Sequence, residues 1–435
     1  MDDSHLDALQ LPHLSLATPT RREALGWSLA ALGLAPLLGT LSPLLPPTPS
    51  VQTATSEATD SAKVAGALTD MGFALLGHLQ AGQGDANVFI SPLSIATAVA
   101  MLYNGAQDAT AAGIAAALRL QGLSRDAVDA GYASFLPALS ASDPKSVALT
   151  IGNALYARNG IPFEGAFLER VRSSFAAKVA AIDFNQPNAG SLINAWVKAK
   201  THGLIPTIVP DRLPNDAIMY ILNAVYFKGG WTIPFDPAQT KPHTFTERSG
   251  STTSVEMMSR TGSFSYHKGD GYEAVRLPYG KETFSFYGVL PSVGSSLAGF
   301  MTGLSASRWK AIVDTLSFSE GRVNLPRFKV SYVASPNLNG PLAALGMGDV
   351  FDSNRANLRS LTSRPHTFVS EVIHKAVMHV DEKGTTAAGV TSIGVGTTAR
   401  VANPFTLTFD RPFFCAIRDD TTGAVLFMGA IGRPE

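Results

Sequence analysis

An acyl-transfer enzyme needs a nucleophile, a base within reach of it and a group that orients the base. The chain contains no Gly-x-Ser-x-Gly elbow, no His-Glu-x-x-His pair and no Cys-x-x-Cys. Its one cysteine, Cys415, lies in the apolar run Pro412-Phe413-Phe414-Cys415-Ala416-Ile417, where a thiol reads as a small buried hydrophobe without an internal disulfide partner. The nine histidines are scattered. His374 and His379 fall on opposite faces of an extended segment, which is poor metal geometry, and no metal or other cofactor is expected. The segment with the clearest chemical meaning is one that could be acted upon. Residues 384–399 contain no charge, no proline and no large aromatic. As a strand they would place Thr385, Ala387, Gly389, Thr391, Ile393 and Val395 on one face and Thr386, Ala388, Val390, Ser392 and Gly394 on the other. Neither face would bury a charge, and every N–H could join a ladder.

Such a strand needs a sheet. Ser91-Pro92 starts a helix, because serine caps and proline suits the first helical position; Ile95, Val99 and Leu102 follow at helical spacing until Gly105. Further helical patterns cover 111–118, 191–200 and 338–345, the last interrupted by Pro341. Residues 221–227, 284–290 and 424–429 are rich in β-branched and aromatic residues and read as strands, as does 371–380, which feeds directly into the uncharged segment. Helices dominate the first half and strands the second, so the expected class is α+β rather than alternating βαβ units, and no glycine-rich phosphate loop follows a strand.

The 435 residues are 45% apolar and 16% charged, enough for a large core, and Lys+Arg and Asp+Glu balance at 34 each. No basic excess exists to attract nucleic acid. Residues 1–63 differ from the rest: Arg21-Arg22 precede a mostly apolar run from Trp27 to Leu45 and then a stretch rich in proline, serine and threonine. Basic residues before an apolar run mark an export signal of twin-arginine, prokaryotic type, with an uncleaved membrane anchor as the rival; Pro36 and Pro43 interrupt the run. Either reading places the folded part, 64–435, outside the cytoplasm. The regular pattern from Val64 onward, without a second linker, predicts one large domain.

Five runs in order resemble the serpin family: Asn87-Val88-Phe89-Ile90-Ser91-Pro92-Leu93-Ser94; Asn223-Ala224-Val225-Tyr226-Phe227-Lys228-Gly229-Gly230-Trp231; Leu325-Pro326-Arg327-Phe328; His374-Lys375-Ala376-Val377; and Asp410-Arg411-Pro412-Phe413 with the later Phe427-Met428-Gly429. The resemblance extends over 64–434. It implies three β-sheets, about nine helices and an exposed reactive-centre loop, in a suicide-substrate inhibitor of serine proteases. A protease attacks the loop, the acyl-enzyme forms, and the cleaved loop inserts into the main sheet with the protease still attached.

Carried onto this chain, the resemblance makes Glu382, Lys383, Gly384, Thr385, Thr386, Ala387, Ala388, Gly389 and Val390 the hinge of the loop. Ser91, Ser94, Asn223 and His374 become a hydrogen-bonded gate beneath the sheet, and Phe227 and Trp231 the breach where the loop enters. Counting from Glu382 puts the reactive bond at Thr398–Ala399, which suits an elastase- or subtilisin-like enzyme. Arg400 is the alternative reactive residue, for a trypsin-like enzyme. The implied partner is a target serine protease in covalent complex with a monomer. Between 107 and 140 the only basic residues are Arg119 and Arg125, so no heparin-like activator is expected. The competing functions are a non-inhibitory serpin, acting as chaperone or carrier, and a hydrolase in which 384–399 is a linker. Gly394 and Gly396 are the departure from an ideal inserting strand.

Overall fold

The computed structural model describes residues 51–81, 86–140, 147–334, 337–385 and 404–435, all within a compact unit spanning Pro49–Glu435. In chain order the elements begin with α1 (Val51–Gln80), β1 (Val88–Ile90), α2 (Pro92–Tyr103), α3 (Asp108–Ala117), α4 (Arg125–Ser140), β2 (Val147–Arg158), α5 (Gly165–Phe175), β3 (Lys178–Ile182), α6 (Ala189–Lys200) and β4 (Met219–Gly230). There follow β5 (Lys241–Thr246), β6 (Thr252–Gly269), β7 (Tyr272–Tyr279), β8 (Phe284–Pro291), α7 (Leu297–Thr302), α8 (Ala306–Thr315), β9 (Ser317–Pro326), β10 (Phe328–Val333) and α9 (Asn339–Leu342). The chain ends with β11 (Lys375–Asp381), β12 (Gly384–Thr385), β13 (Phe405–Thr408), β14 (Phe413–Asp419) and β15 (Val425–Ile431). This is the expected α+β class, with strands concentrated after β4.

The helices follow their local signals. Ser91 caps α2 by accepting a hydrogen bond from the Ser94 N–H, with Pro92 at the first position. Eleven of the twelve residues of α2 are buried, Ala98 being the exception, so this helix runs through the core rather than along the surface. Toward the C-terminal half, Pro341 lies inside α9, the regular helix stops at Leu342, and Gly346 breaks the following turn with φ of 120°. Helix α1 begins at Val51, so regular structure starts ahead of Val64.

Strand pairing makes a six-stranded sheet in the order β10-β11-β12-β4-β2-β3 and a nine-stranded one running β1-β15-β14-β8-β7-β6-β9-β13, with β5 also on β6. The resemblance implies three sheets, and the long β6 joins two of them: its first residues pair with β5, its middle with β9 and its last with β7. Strands β8 and β15 are buried throughout, as their nearly continuous apolar sequences require. Cys415 is buried in β14, where loss of hydration pushes its thiol pKa upward and leaves it inert.

The extended segment at 371–380 is shorter as a strand than its sequence suggests. Regular pairing starts at Lys375, because the backbone before it is committed elsewhere. The Leu338 N–H donates to the Val372 carbonyl, the Ala334 N–H to the His374 carbonyl, and the Val372 N–H to Asn339 Oδ1. The first and last of these bonds tie Val372 to the start of α9, and the second extends the β10–β11 pairing by one residue to His374.

Candidate functional site

The six-stranded sheet holds a two-residue strand at its centre. In β12, Gly384 and Thr385 pair antiparallel with Asp381 and Val380 of β11 on one side, and with Gly230 and Gly229 of β4 on the other. Strands β11 and β4 therefore run parallel to each other with the start of a third strand between them. The turn that delivers β12 is held by the Asp381 carboxylate, which accepts from the Lys383 N–H at 2.8 Å and the Gly384 N–H at 3.1 Å. Outside the ladder, the Trp231 N–H donates to the Lys383 carbonyl and the Phe235 N–H to the Glu382 carbonyl, both at 2.9 Å.

Glycine is required on both sides of this junction. Gly384 has φ of +150°, and a Cβ there would sit 2.0 Å from the Gly229 carbonyl oxygen, so any side chain collides with backbone. A Cβ on Gly229 would lie 2.9 Å from the Tyr279 ring. That contact gives Gly229 a physical role that its sequence context does not reveal.

Aromatic side chains floor the junction. The Trp231 ring stacks on Tyr279 at 4.5 Å between centroids and 9° between planes, and Phe227 meets the Tyr279 ring edgewise at 5.1 Å. Trp231 Nε1–H donates to the Asp381 carbonyl at 2.9 Å. The fully buried Tyr279 hydroxyl hydrogen-bonds the Thr385 hydroxyl; burial raises its pKa well above the usual phenol value, so it stays protonated. Tyr279 closes β7 and lies outside every matching sequence run. The signal that could have found it is the Tyr279 end of an apolar strand, which says nothing by itself about Thr385.

Glu382 turns the corner ahead of Gly384. Its carboxylate accepts from the Thr240 hydroxyl at 2.6 Å and from the Arg327 guanidinium. Burial pushes the Glu382 pKa up, but the hydrogen bonds from Arg327 and Thr240 together outweigh it and hold the carboxyl below its ordinary range. The Lys383 side chain is exposed.

Farther down the same sheet, Ser91, Ser94, Asn223 and His374 come together although they lie on α2, on β4 and just ahead of β11. His374 Nε2 accepts from the Ser91 N–H at 3.2 Å, Ser91 Oγ donates to the Leu426 carbonyl at 2.7 Å, and Ser94 Oγ donates to the Asn223 carbonyl at 3.2 Å. Since Nε2 accepts, the neutral ring carries its proton on Nδ1. Burial lowers the His374 pKa to about 4. Asn153 completes the group: it accepts from Asn223 Nδ2 at 2.6 Å and donates to the Phe175 carbonyl at 2.7 Å. It faces Asn223 directly in the β2–β4 register, a pairing that sequence spacing alone could not supply. Asn223 Oδ1 is buried without a hydrogen-bond partner.

Beside this cluster, between α2, β4 and residues 364–376, lies a cavity of about 250 Å³ whose walls include Ile95, Val99, Ile221, Asn223, Val372 and His374. Residues 371–374, which line this cavity ahead of β11, carry no regular strand. Among the described residues no group of histidine, cysteine or carboxylate side chains is arranged to hold a metal ion, and no helix is long and apolar enough to cross a membrane. Thr386, Ala387, Ala388, Gly389 and Val390 of the hinge, the bond Thr398–Ala399, Arg400 and the arginine pair at 21–22 lie outside the described residues.

Comparison with known proteins gives one answer. The family model described as serpin (serine protease inhibitor) matches residues 66–434. Glia-derived nexin of Rattus norvegicus is 32% identical over 84% of this chain and 92% of its own length. Among solved structures, the native thermophilic serpin Tengpin superposes with a TM-score of 0.77 at 28% identity, covering 85% of this chain and 94% of that one. Human thyroxine-binding globulin bound to its hormone gives a TM-score of 0.76 at 27% identity, covering 86% and 99%.

Proposed function

This chain belongs to the serpin family, and from that premise we propose that it is a suicide-substrate inhibitor of an elastase- or subtilisin-like serine protease, cleaved at Thr398–Ala399. The observation that carries the reading is β12: a strand already begun between two parallel neighbours, antiparallel to both. Continuing its register along β4 and β11 sets Ala387 opposite Phe227 and Met378, and Gly389 opposite Val225 and Ala376. It then sets Thr391 opposite both Asn223 and His374. Thr385 faces inward onto Tyr279, so by strand alternation Ala387, Gly389, Thr391 and Ile393 face inward too. The small residues pass over the aromatic floor first. Thr391 then brings a hydroxyl to the unsatisfied Asn223 Oδ1, and Ile393 arrives between Ile221 and Val372, which wall the cavity.

In this reading Phe227 and Trp231 form the breach, while Ser91, Ser94, Asn223 and His374, with Asn153, form the gate. Insertion gains ladder hydrogen bonds and fills the cavity, so it is downhill once the loop is cut. Residues 384–398 advancing at about 3.3 Å each carry the cleaved end roughly 50 Å. A protease joined to Thr398 through its acyl bond travels with it. Trapping depends on insertion outrunning hydrolysis of that bond, so charge and proline are excluded from residues 384–399 for a kinetic reason. Gly394 lies on the outward face, opposite Tyr220 and Glu371, where it leaves the inward packing untouched. The loop acts outside the cytoplasm after export directed by residues 1–63.

The carrier reading draws support from the likeness to thyroxine-binding globulin, but the uncharged, proline-free segment 384–399 favours insertion. The test is incubation with elastase-, subtilisin- and trypsin-like proteases, followed by denaturing electrophoresis and sequencing of the released C-terminal fragment. The expected result is a denaturant-resistant complex and a fragment beginning at Ala399. A fragment beginning at Val401 moves the reactive residue to Arg400, and cleavage without complex removes the inhibitor reading. Ala387→Pro removes a ladder donor in the first inserted turn of the strand and is expected to abolish the complex while cleavage continues.

A further inference from the structure

The chain that runs from β12 to β13 leaves one sheet and returns to the other. Its first stem is β12 in the six-stranded sheet, where the Trp231 N–H holds the Lys383 carbonyl and the Phe235 N–H holds the Glu382 carbonyl. Its second stem is β13 in the nine-stranded sheet, parallel to β9 with Phe405 beside Gly321. The Phe405 ring stacks on Tyr266 at 3.7 Å between centroids and meets Phe264 edgewise at 5.9 Å. It also fills the space over Gly321, where a Cβ would come within 2.3 Å of it.

One side chain spans the two seats. Arg260, half-buried on β6, lies over the Phe235 ring at 5.3 Å and over the Phe264 ring at 4.6 Å, and its Nη1 donates to the Ile233 carbonyl. Phe264 follows four residues later on the same face of the strand. A continuous path therefore leads from Glu382 through Phe235, Arg260 and Phe264 to Phe405, each step a hydrogen bond or a ring contact. A planar guanidinium can lie on rings and still aim an N–H at a carbonyl in its own plane, whereas an ammonium is a point charge without that plane. Loss of hydration lowers the Arg260 pKa to about 10, which leaves it cationic at neutral pH, and no carboxylate among the described residues contributes to that value. A charge held away from water without a counter-ion is costly, and an apolar side chain would pack between the same rings without that cost.

We propose that Arg260 is a positioning residue for attack on the reactive loop: it couples the β12 stem to the β13 stem and fixes the span across which the loop is presented. The inference rests on the reading that a protease attacks the loop, but not on trapping. Residue 384 begins the inserted strand and Phe405 lies beyond the bond that is cut, so insertion leaves both stems where they are. The tie acts earlier, while the loop is intact. A loop held at a fixed span has less freedom to lose on entering an active site. Arg260 thus belongs to the rate of attack, and the sheet beneath it to the fate of the acyl-enzyme.

The experiment measures kcat/KM for cleavage by subtilisin and by pancreatic elastase of the loop in the full chain, as wild type, Arg260→Met and Arg260→Lys, and of a free peptide of residues 392–403. The expected result is a fall of about threefold to tenfold for Arg260→Met, a similar fall for Arg260→Lys, which keeps the charge but not the planar bridge, and slower cleavage still of the peptide. The ratio of loop cleaved to protease trapped is expected to match wild type in both variants. Wild-type rates in either variant overturn the proposal. So does a wild-type loop cut no faster than the free peptide, an outcome that needs no variant to fold. A rise in the ratio, with or without a fall in rate, also overturns it, because it places Arg260 in insertion or in the stability of the sheet. If the wild-type loop is cut without a complex forming, the inhibitor reading fails while the kcat/KM comparison still decides this one.

Discussion

The two ends of the six-stranded sheet are built to opposite specifications. At the upper end, where β12 lies between β11 and β4, the backbone is paired on both sides, Thr385 meets Tyr279, and stacked aromatic rings fill the space beneath. Around Asn223 and His374, at the lower end, the ladder is incomplete, an amide oxygen has no partner and a cavity of about 250 Å³ remains. Protein interiors are ordinarily packed to the density of organic crystals, and unfilled space beneath a sheet forgoes the contacts that such packing supplies. A sheet finished at one end and unfinished at the other has a direction. Strand addition at its centre can only proceed downward, toward the end where hydrogen bonds and packing are still to be gained.

The most severe way to break this contrast is to unseat the finished end. Gly384→Val places a branched side chain where even a Cβ meets the Gly229 carbonyl at 2.0 Å, in a φ region that β-branched residues avoid. Strain and overpacking together are expected to cost about 3–5 kcal/mol. The predicted variant has lost β12: faster hydrogen exchange at the Trp231 and Phe235 amides, which bond to Lys383 and Glu382, and cleavage of the loop without stable complexes. Protection of those amides at the wild-type level would show that the junction tolerates a side chain and that its geometry does not hold the strand.

The contrast was only partly legible in the sequence. Ser91-Pro92 announced α2 because capping is local chemistry, and the uncharged run that starts at Gly384 announced the strand that β12 begins, the rest of that run lying outside the described residues. Tyr279 and Asn153 were not legible, since each matters through a partner far along the chain: Thr385, 106 positions away, for the first, and Asn223, 70 positions away across the β2–β4 register, for the second. The early part of 371–380 misled for the converse reason. Its residues have strand character, but the backbone of Val372 is held by the α9 segment, and tertiary bonds override propensity. The resemblance to a family supplied the cluster at Ser91, Ser94, Asn223 and His374 by position; only the coordinates supply the void beside it.

Acid separates the two ends. His374 has a pKa of about 4 in the folded protein against 6.5 for an ordinary histidine, so the unfolded chain binds the proton more readily. Stability from keeping this ring neutral is complete above pH 6.5 and is lost as the pH falls from 6.5 to 4, by about 3 kcal/mol over the window. Glu382 behaves differently: its folded pKa lies below 4.5, so its contribution is present above that value and disappears only in stronger acid. His374→Gln keeps an acceptor for the Ser91 N–H and removes the titration. The thermal midpoint of wild type is expected to fall between pH 6.5 and 4 while that of His374→Gln stays level. Parallel curves for the two proteins would mean that the lower end does not sense the proton.

The mildest change tests whether the upper end is latched or merely packed. Tyr279→Phe keeps the ring that stacks on Trp231 and removes the hydroxyl, leaving the buried Thr385 oxygen to find another partner. Loss of one buried hydrogen bond costs about 1 kcal/mol. The effect on the whole fold should accordingly be small, whereas the effect on β12, only two residues long, should be large in proportion. The variant is expected to lose little in thermal midpoint yet show faster exchange at the Trp231 amide and a higher ratio of loop cleaved to protease trapped. If exchange and the ratio both match wild type, the aromatic floor alone seats β12 and the Tyr279–Thr385 bond is incidental. Under the proposed function a latch that weak has a logic, because the same contact would hold the strand's first residues in place before cleavage without slowing the residues that follow them.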